Sequence, residues 1–183
     1  STMTAKLEIC APGFYELFLN GERITNGRLR PFIANPDDIL YYDEYDLASR
    51  LADGENVIGI LLGNGVIDPI GGGVWDFDKA EYRAAPCFAL SFSGERGDTE
   101  INFDASIFRW HDSPIVFNDL RCGEWYDARS EIPGWNLPGY DDSGWLPVTA
   151  VRAPRGKLRK GDYYPIEVTR GLKPVSITKS HIG

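Results

Sequence analysis

Glu124, Asp127 and Glu131 stand close together in one short stretch of the chain. Paired carboxylates, one protonated and one ionised, are the machinery of glycoside hydrolysis, so that chemistry is the first to weigh. The neighbouring residues argue against it. Tyr126-Asp127-Ala128-Arg129 reads as a loop that satisfies itself, with Asp127 or Glu124 as the ion-pair partner of Arg129. A second set suits binding. Between Asn64 and Tyr82 the sequence places Asn64, Asp68, Trp75, Asp76, Asp78 and Tyr82. Sites for polar ligands such as sugars combine an aromatic wall with a few convergent polar side chains that order the hydroxyls. Asn64, Asp68, Trp75, Asp76 and Tyr82 are the candidate sugar contacts. Gly71-Gly72-Gly73 runs up to Trp75, and bare backbone there lets a ligand or a neighbouring chain come close. The plainer reading has Trp75 capping one end of the fold.

Calcium takes about six to eight oxygens, several of them from carboxylates. Asp37-Asp38, Asp76 with Asp78, and Asp141-Asp142 are the acidic pairs to consider, and none has EF-hand spacing. Asp76 and Asp78 are the metal candidates, and calcium is the one cofactor the sequence suggests. Asp141-Asp142-Ser143 reads more simply as a turn, its side chains accepting from local N–H groups. Cys10, Cys87 and Cys122 are widely spaced, and only His111 and His181 could join them, so a zinc site is not expected. Neither Cys122 nor His111 has a partner for nucleophilic catalysis. Gly63–Gly73 is rich in glycine but lacks the Gly-Lys-Ser/Thr of a phosphate loop.

Strands must position these groups. Thr4–Cys10 alternates, with Leu7 and Ile9 on one face. Phe14–Leu19 runs into Asn20-Gly21, a strong short hairpin signal, with Arg23-Ile24 returning. Ile39–Tyr45 is aromatic and β-rich, and Val57–Leu62 is a continuous apolar run, as in a strand covered on both faces. Cys87–Phe92 and Thr99–Phe103 flank a polar loop, Ser93–Asp98; Ile107–Trp110 and Ile115–Leu120 follow. Leu47–Leu51 offers one helical turn. Many short strands with frequent turn signals predict an all-β, antiparallel β-sandwich of the jelly-roll kind over residues 1–150.

Residues 123–145 hold Trp125, Trp135 and Trp145, three of the five tryptophans, among Pro133, Pro138 and several glycines. Such a segment forms a loop, and its indoles are expected to be buried against the core. Residues 151–183 change in character. Arg152, Arg155, Lys157, Arg159 and Lys160 read as a basic linker, and Pro165–Ile177 as the start of a following β module. A net charge of −8 at pH 7 argues against nucleic acid or an anionic membrane as partner. Cys10 and Cys87 read as buried free thiols; with no signal-peptide pattern at the N-terminus, they slightly favour a cytoplasmic setting.

Four stretches together carry a resemblance: Gly13–Arg23, Tyr45–Gly65 with its Leu-Gly-Asn-Gly, Gly123-Glu124-Trp125-Tyr126-Asp127-Ala128-Arg129, and Gly134–Trp145 with Asp141-Asp142-Ser143-Gly144-Trp145. In this order they resemble the N-terminal domain of bacterial α-L-rhamnosidases of glycoside hydrolase family 78. The resemblance implies a galactose-binding-like jelly roll ahead of a catalytic (α/α)6 barrel that holds the acid and base carboxylates. It implies that Trp125, Tyr126, Asp127, Arg129, Trp135, Asp142 and Trp145 build a structural loop. The partners would be the catalytic and other domains of one polypeptide, together with rhamnose-containing glycans. It also implies an alternative, since related domains act as calcium-dependent rhamnose-binding modules. Two loops depart from the family's usual pattern. Arg30-Pro31-Phe32 and Val66-Ile67 stand where the family usually has a tryptophan.

Overall fold

Alternation makes Met3–Cys10 (β1) a strand with Ala5, Leu7 and Ile9 turned inward and buried. Phe14–Leu19 (β2) buries Tyr15, Leu17 and Leu19 in the same way. Asn20 and Gly21 follow at φ of 50° and 85°, the two left-handed positions of a type I′ turn, and Glu22–Arg23 (β3) pairs back on β2. Ile39–Asp46 (β4), Ile58–Gly63 (β5), Ala89–Arg96 (β6) and Thr99–Phe103 (β7) supply the rest of the sandwich. Shorter strands follow at Arg109–Trp110 (β8), Ile115–Asp119 (β9), Gly123–Tyr126 (β10), Leu146–Pro147 (β11) and Lys157–Lys160 (β12). This computed structural model describes residues 3–69, 79–96, 99–103 and 105–179.

One sheet runs in the order β12-β4-β1-β6-β7 and the other β3-β2-β5. Apart from β12 on β4, every strand pair in both is antiparallel. Leu7 lies in register between Tyr45 and Phe92, and these three meet Tyr15, Leu17 and Leu19 across the core. The expected β-sandwich is present.

The outer face of the smaller sheet is covered by irregular chain. Phe18 and Gly59 are paired in register, and Trp135 lies against both, its ring 5.5 Å from that of Phe18 at an edge-on angle of 75°. Leu137 sits over Gly21 of the hairpin. Further along, Asn118 of β9 approaches Gly63. The Val57–Leu62 run is therefore covered on both sides, by the core under Ile58, Ile60 and Leu62 and by Trp135 above Gly59.

Three expectations need correction. Ser93–Arg96 continues β6 instead of forming a loop, because its backbone finds partners on both β1 and β7. Gly123–Tyr126, inside the segment read as loop, pairs with β9 as a ribbon. Lys157–Lys160, read as part of a basic linker, pairs with β4 in parallel and closes the large sheet; its cations suit a solvent-facing edge. As expected, the chain at Leu47–Leu51 makes a single turn, with the Arg50 and Leu51 N–H groups donating to the Leu47 carbonyl.

Candidate functional site

The candidate sugar contacts face different partners. The backbone N–H of Asn64 donates to Asn118 Oδ1 at 2.7 Å, and its side-chain Nδ2 donates to the Asn118 carbonyl at 3.0 Å. Asn64 thereby ties the end of β5 to the β9–β10 ribbon. Asp68 accepts from Arg83 Nε at 3.1 Å. Tyr82 is half-buried, and burial and the nearby Asp37 raise its pKa. Trp75, Asp76 and Asp78 lie outside the described residues.

The other acidic pairs are engaged as well. Asp37 holds the Arg155 guanidinium at 2.9 Å, and that hydrogen bond lowers its pKa. Asp38 accepts from Asn35 Nδ2 at 3.0 Å. Asp141 accepts from the Ser143 N–H at 3.0 Å, the geometry of an Asx turn. Asp142 lies 4.0 Å from Arg109 Nε. Among the described residues no three His, Cys, Asp or Glu side chains come together as a metal site would require. The calcium candidates Asp76 and Asp78 are not among them.

A cleft of about 460 Å3 opens between the β2–β3 hairpin and the end of β4, lined in part by Glu22, Arg23, Asn26, Glu44, Asp46 and Arg50. Its polar groups already hold one another or their neighbours. Arg50 pairs with Glu22 at 3.0 Å, and Arg23 pairs with Glu16. Glu44 takes Lys160 at 2.9 Å and Lys6 at 3.3 Å, and both contacts lower its pKa. Asp46 accepts from the Ala48 N–H at 2.9 Å.

The Trp-rich segment is less buried than its composition predicts. Trp125 is 65 % exposed and Tyr126 54 %, since β10 pairs with β9 at the margin of the fold and nothing described covers it. Trp135 and Trp145 are half-buried, stacked at 6.4 Å between centroids, with Tyr140 edge-on to Trp145 at 5.7 Å. The loop between Trp125 and Trp135 is internally bonded. Asp127 caps a short 3-10 turn at Ala128–Ser130 and grips Arg129 Nε and Nη2 at 2.8 and 2.6 Å. Tyr126 Oη donates to Glu131 Oε1 at 2.8 Å. The three acids first weighed for hydrolysis thus frame an exposed loop. In the two loops that depart from the resemblance, Phe32 packs on Tyr41 and Tyr163, and Val66 and Ile67 are buried.

Sequence reasoning missed a polar cluster in the core. Asp43 and Arg30 form a buried ion pair, with Arg30 Nε donating to Asp43 Oδ2 at 3.2 Å. Tyr15 Oη donates to the same carboxylate at 2.6 Å and lies 2.7 Å from Tyr45 Oη. Burial, reinforced by Tyr45 and Asp43, pushes the Tyr15 phenol far above its ordinary range. The Arg30 guanidinium stacks 4.4 Å from the Tyr163 ring centre, and Tyr163 Oη accepts from the Phe32 N–H at 2.6 Å. The signal was present. Asp43 occupies the inward phase of β4, opposite Ile9 and one alternation from Tyr45, and an acid there needs a cation. The Cys10 thiol, buried beside Cys87, is pushed up to about 11, so it stays protonated and unreactive at neutral pH.

Comparison with known proteins agrees with this architecture. The α-L-rhamnosidase N-terminal domain family matches residues 1–170. An α-L-rhamnosidase of Formosa agariphila is 36 % identical over 149 residues, which cover 77 % of this chain and 15 % of that protein. One of Streptomyces avermitilis is 34 % identical over 146 residues, 79 % of this chain and 14 % of that protein. The solved α-L-rhamnosidase of Dictyoglumus thermophilum superimposes with a TM-score of 0.82 at 34 % identity, over 94 % of this chain and 19 % of that one. The Streptomyces avermitilis enzyme, solved in complex with L-rhamnose, gives 0.74 at 31 % identity over 83 % of this chain and 15 % of that one. The chain therefore spans well under a quarter of the length of each of these relatives. From its two-sheet frame to its self-bonded Tyr126–Arg129 loop, and along nearly all of its sequence, the chain belongs to the α-L-rhamnosidase N-terminal domain family.

Proposed function

We propose that this chain is a non-catalytic accessory domain of a multidomain α-L-rhamnosidase. It packs on the other modules of its polypeptide and helps present rhamnosides to a catalytic (α/α)6 barrel elsewhere in that polypeptide. The observation that carries this reading is the state of the cleft's carboxylates. Glu22, Glu44 and Asp46 each already hold a cation or an N–H group. A glycosidase acid must be kept protonated near neutral pH, which takes a raised pKa. Glu44 is shifted the other way, as are Asp37 and Asp127 outside the cleft.

The test is an aryl α-L-rhamnoside assay on this chain and on the full polypeptide that carries it. Turnover is expected from the full polypeptide alone. Turnover by this chain, lost in Asp127→Asn or Glu131→Gln, would reverse the reading. Calorimetry with L-rhamnose, with and without calcium, addresses an autonomous binding module. No heat is expected; calcium-dependent heat that Trp75→Ala removes would favour the module instead.

A further inference from the structure

The β9–β10 ribbon exposes apolar side chains on both faces. Register sets Trp125 opposite Phe117, their rings 4.9 Å apart and tilted by 33°. Val116, one residue from Phe117, faces the other way, yet it is 62 % exposed. Asn118, near the turn of the ribbon, ties it to Asn64; β9 is largely half-buried, while all four residues of β10 are exposed. A two-stranded ribbon on its own is marginal in water. At the end away from Asn118 the chain is fixed by the Asp127 N–H on the Pro114 carbonyl and by the Tyr126–Glu131 bond, so less ordering is left to be done on contact.

We propose that the exposed face of this ribbon is the docking contact between the domain and a neighbouring module of the same polypeptide, with Trp125 as its anchor. The proposal rests on the accessory-domain reading. The occupant follows from three observations. The rhamnosidases that this chain matches carry most of their length outside the matched region, so a tethered partner is at hand, and tethering makes a small patch sufficient. A sugar stacked on Trp125 would leave Val116 in water. A second copy would need roughly 800 Å2 from each partner, more than a narrow two-stranded ribbon presents. An aromatic centre rimmed by Glu124, Arg129 and Glu131 matches the usual anatomy of a protein contact.

Hydroxyl-radical footprinting of this chain and of the full polypeptide tests the proposal. Trp125 should label about sixfold less in the full polypeptide, the ratio between 65 % exposure and near-complete burial at an interface centre. Trp125→Asp should restore labelling of Val116 and Tyr126 there, while leaving the urea midpoint of this chain unchanged. Equal labelling of Trp125 in both proteins overturns the proposal. So does protection of Trp125 in this chain alone, whether by added L-rhamnose or by raised protein concentration. Rhamnoside turnover confined to the full polypeptide, with an unprotected ribbon, sinks the docking contact and leaves the accessory role. Turnover by this chain sinks that role itself.

Discussion

The indole of Trp135 lies directly on the backbone of Gly59. A methyl group added at Gly59 would come within 2.8 Å of the ring and of Asn136 Cβ. Gly59→Ala should therefore lift the Trp135 loop from the outer sheet and cost about 1–3 kcal/mol, the usual range for overpacking. Urea melts with fluorescence detection would show it as a lower midpoint and a shifted indole signal. An unchanged midpoint would mean that the loop is not seated on the sheet.

The tryptophans of this loop should separate by burial. Trp135→Ala removes a ring packed on Phe18 and Gly59 and is expected to cost about 2–4 kcal/mol, toward the lower part of the large-to-small range because the ring is only half-buried. Trp125→Ala should cost under about 1 kcal/mol in this chain, as exposed positions do. Equal losses in chemical denaturation would contradict this order.

Asp43 ties Arg30 and Tyr15 together in the core. Asp43→Ala leaves a buried guanidinium without its counter-ion and should cost about 3–5 kcal/mol. A double variant, Arg30→Met with Asp43→Leu, should regain part of that loss, since it removes both charges at once. If the double variant were less stable than Asp43→Ala, the ion pair would not be the source of the effect.

Acid should destabilise the fold in a definite window. Asp37 is held down by Arg155, Glu44 by Lys160 and Lys6, Asp127 by Arg129, and Asp141 by the Ser143 hydroxyl and N–H. Each folded-state pKa lies below the ordinary 3.8 of aspartate or 4.5 of glutamate. Their contribution is therefore complete above those values and is lost as pH falls through the folded ones. Tyr15, Tyr45 and Tyr163 are shifted up from 10.0, so their contribution is complete below that value and is lost as pH rises past it. Urea midpoints should be flat between about pH 5 and 9 and fall on both sides. A midpoint unchanged at pH 3 would contradict the acid arm.

The strands with clear alternation, Met3–Cys10 and Phe14–Leu19, were legible because inward and outward residues differ in type, and Asn20-Gly21 fixed their turn. Lys157–Lys160 was hidden, since an edge strand of lysine and arginine looks like a linker until its neighbour is known. The tryptophans misled for a related reason. Indole area predicts burial somewhere, but Trp125 sits on a strand all of whose residues are exposed. Asn64 and Asp68 carry sugar-binding chemistry in their side-chain types, yet contacts far along the chain, at Asn118 and Arg83, engage them. Local pattern does not record such partners.

The pairing of Lys157 with Ile39 has a consequence during synthesis. At about 5–20 residues per second, the ribosome needs roughly 6–24 s to travel from one strand to the other. For that time β4 waits with one side unpaired, and its Leu40, Tyr41 and Tyr42 offer a template to any nascent neighbour. Slowing translation across residues 47–156 should lengthen that exposure, so the yield of soluble protein should depend on elongation speed more than on the stability of the finished fold.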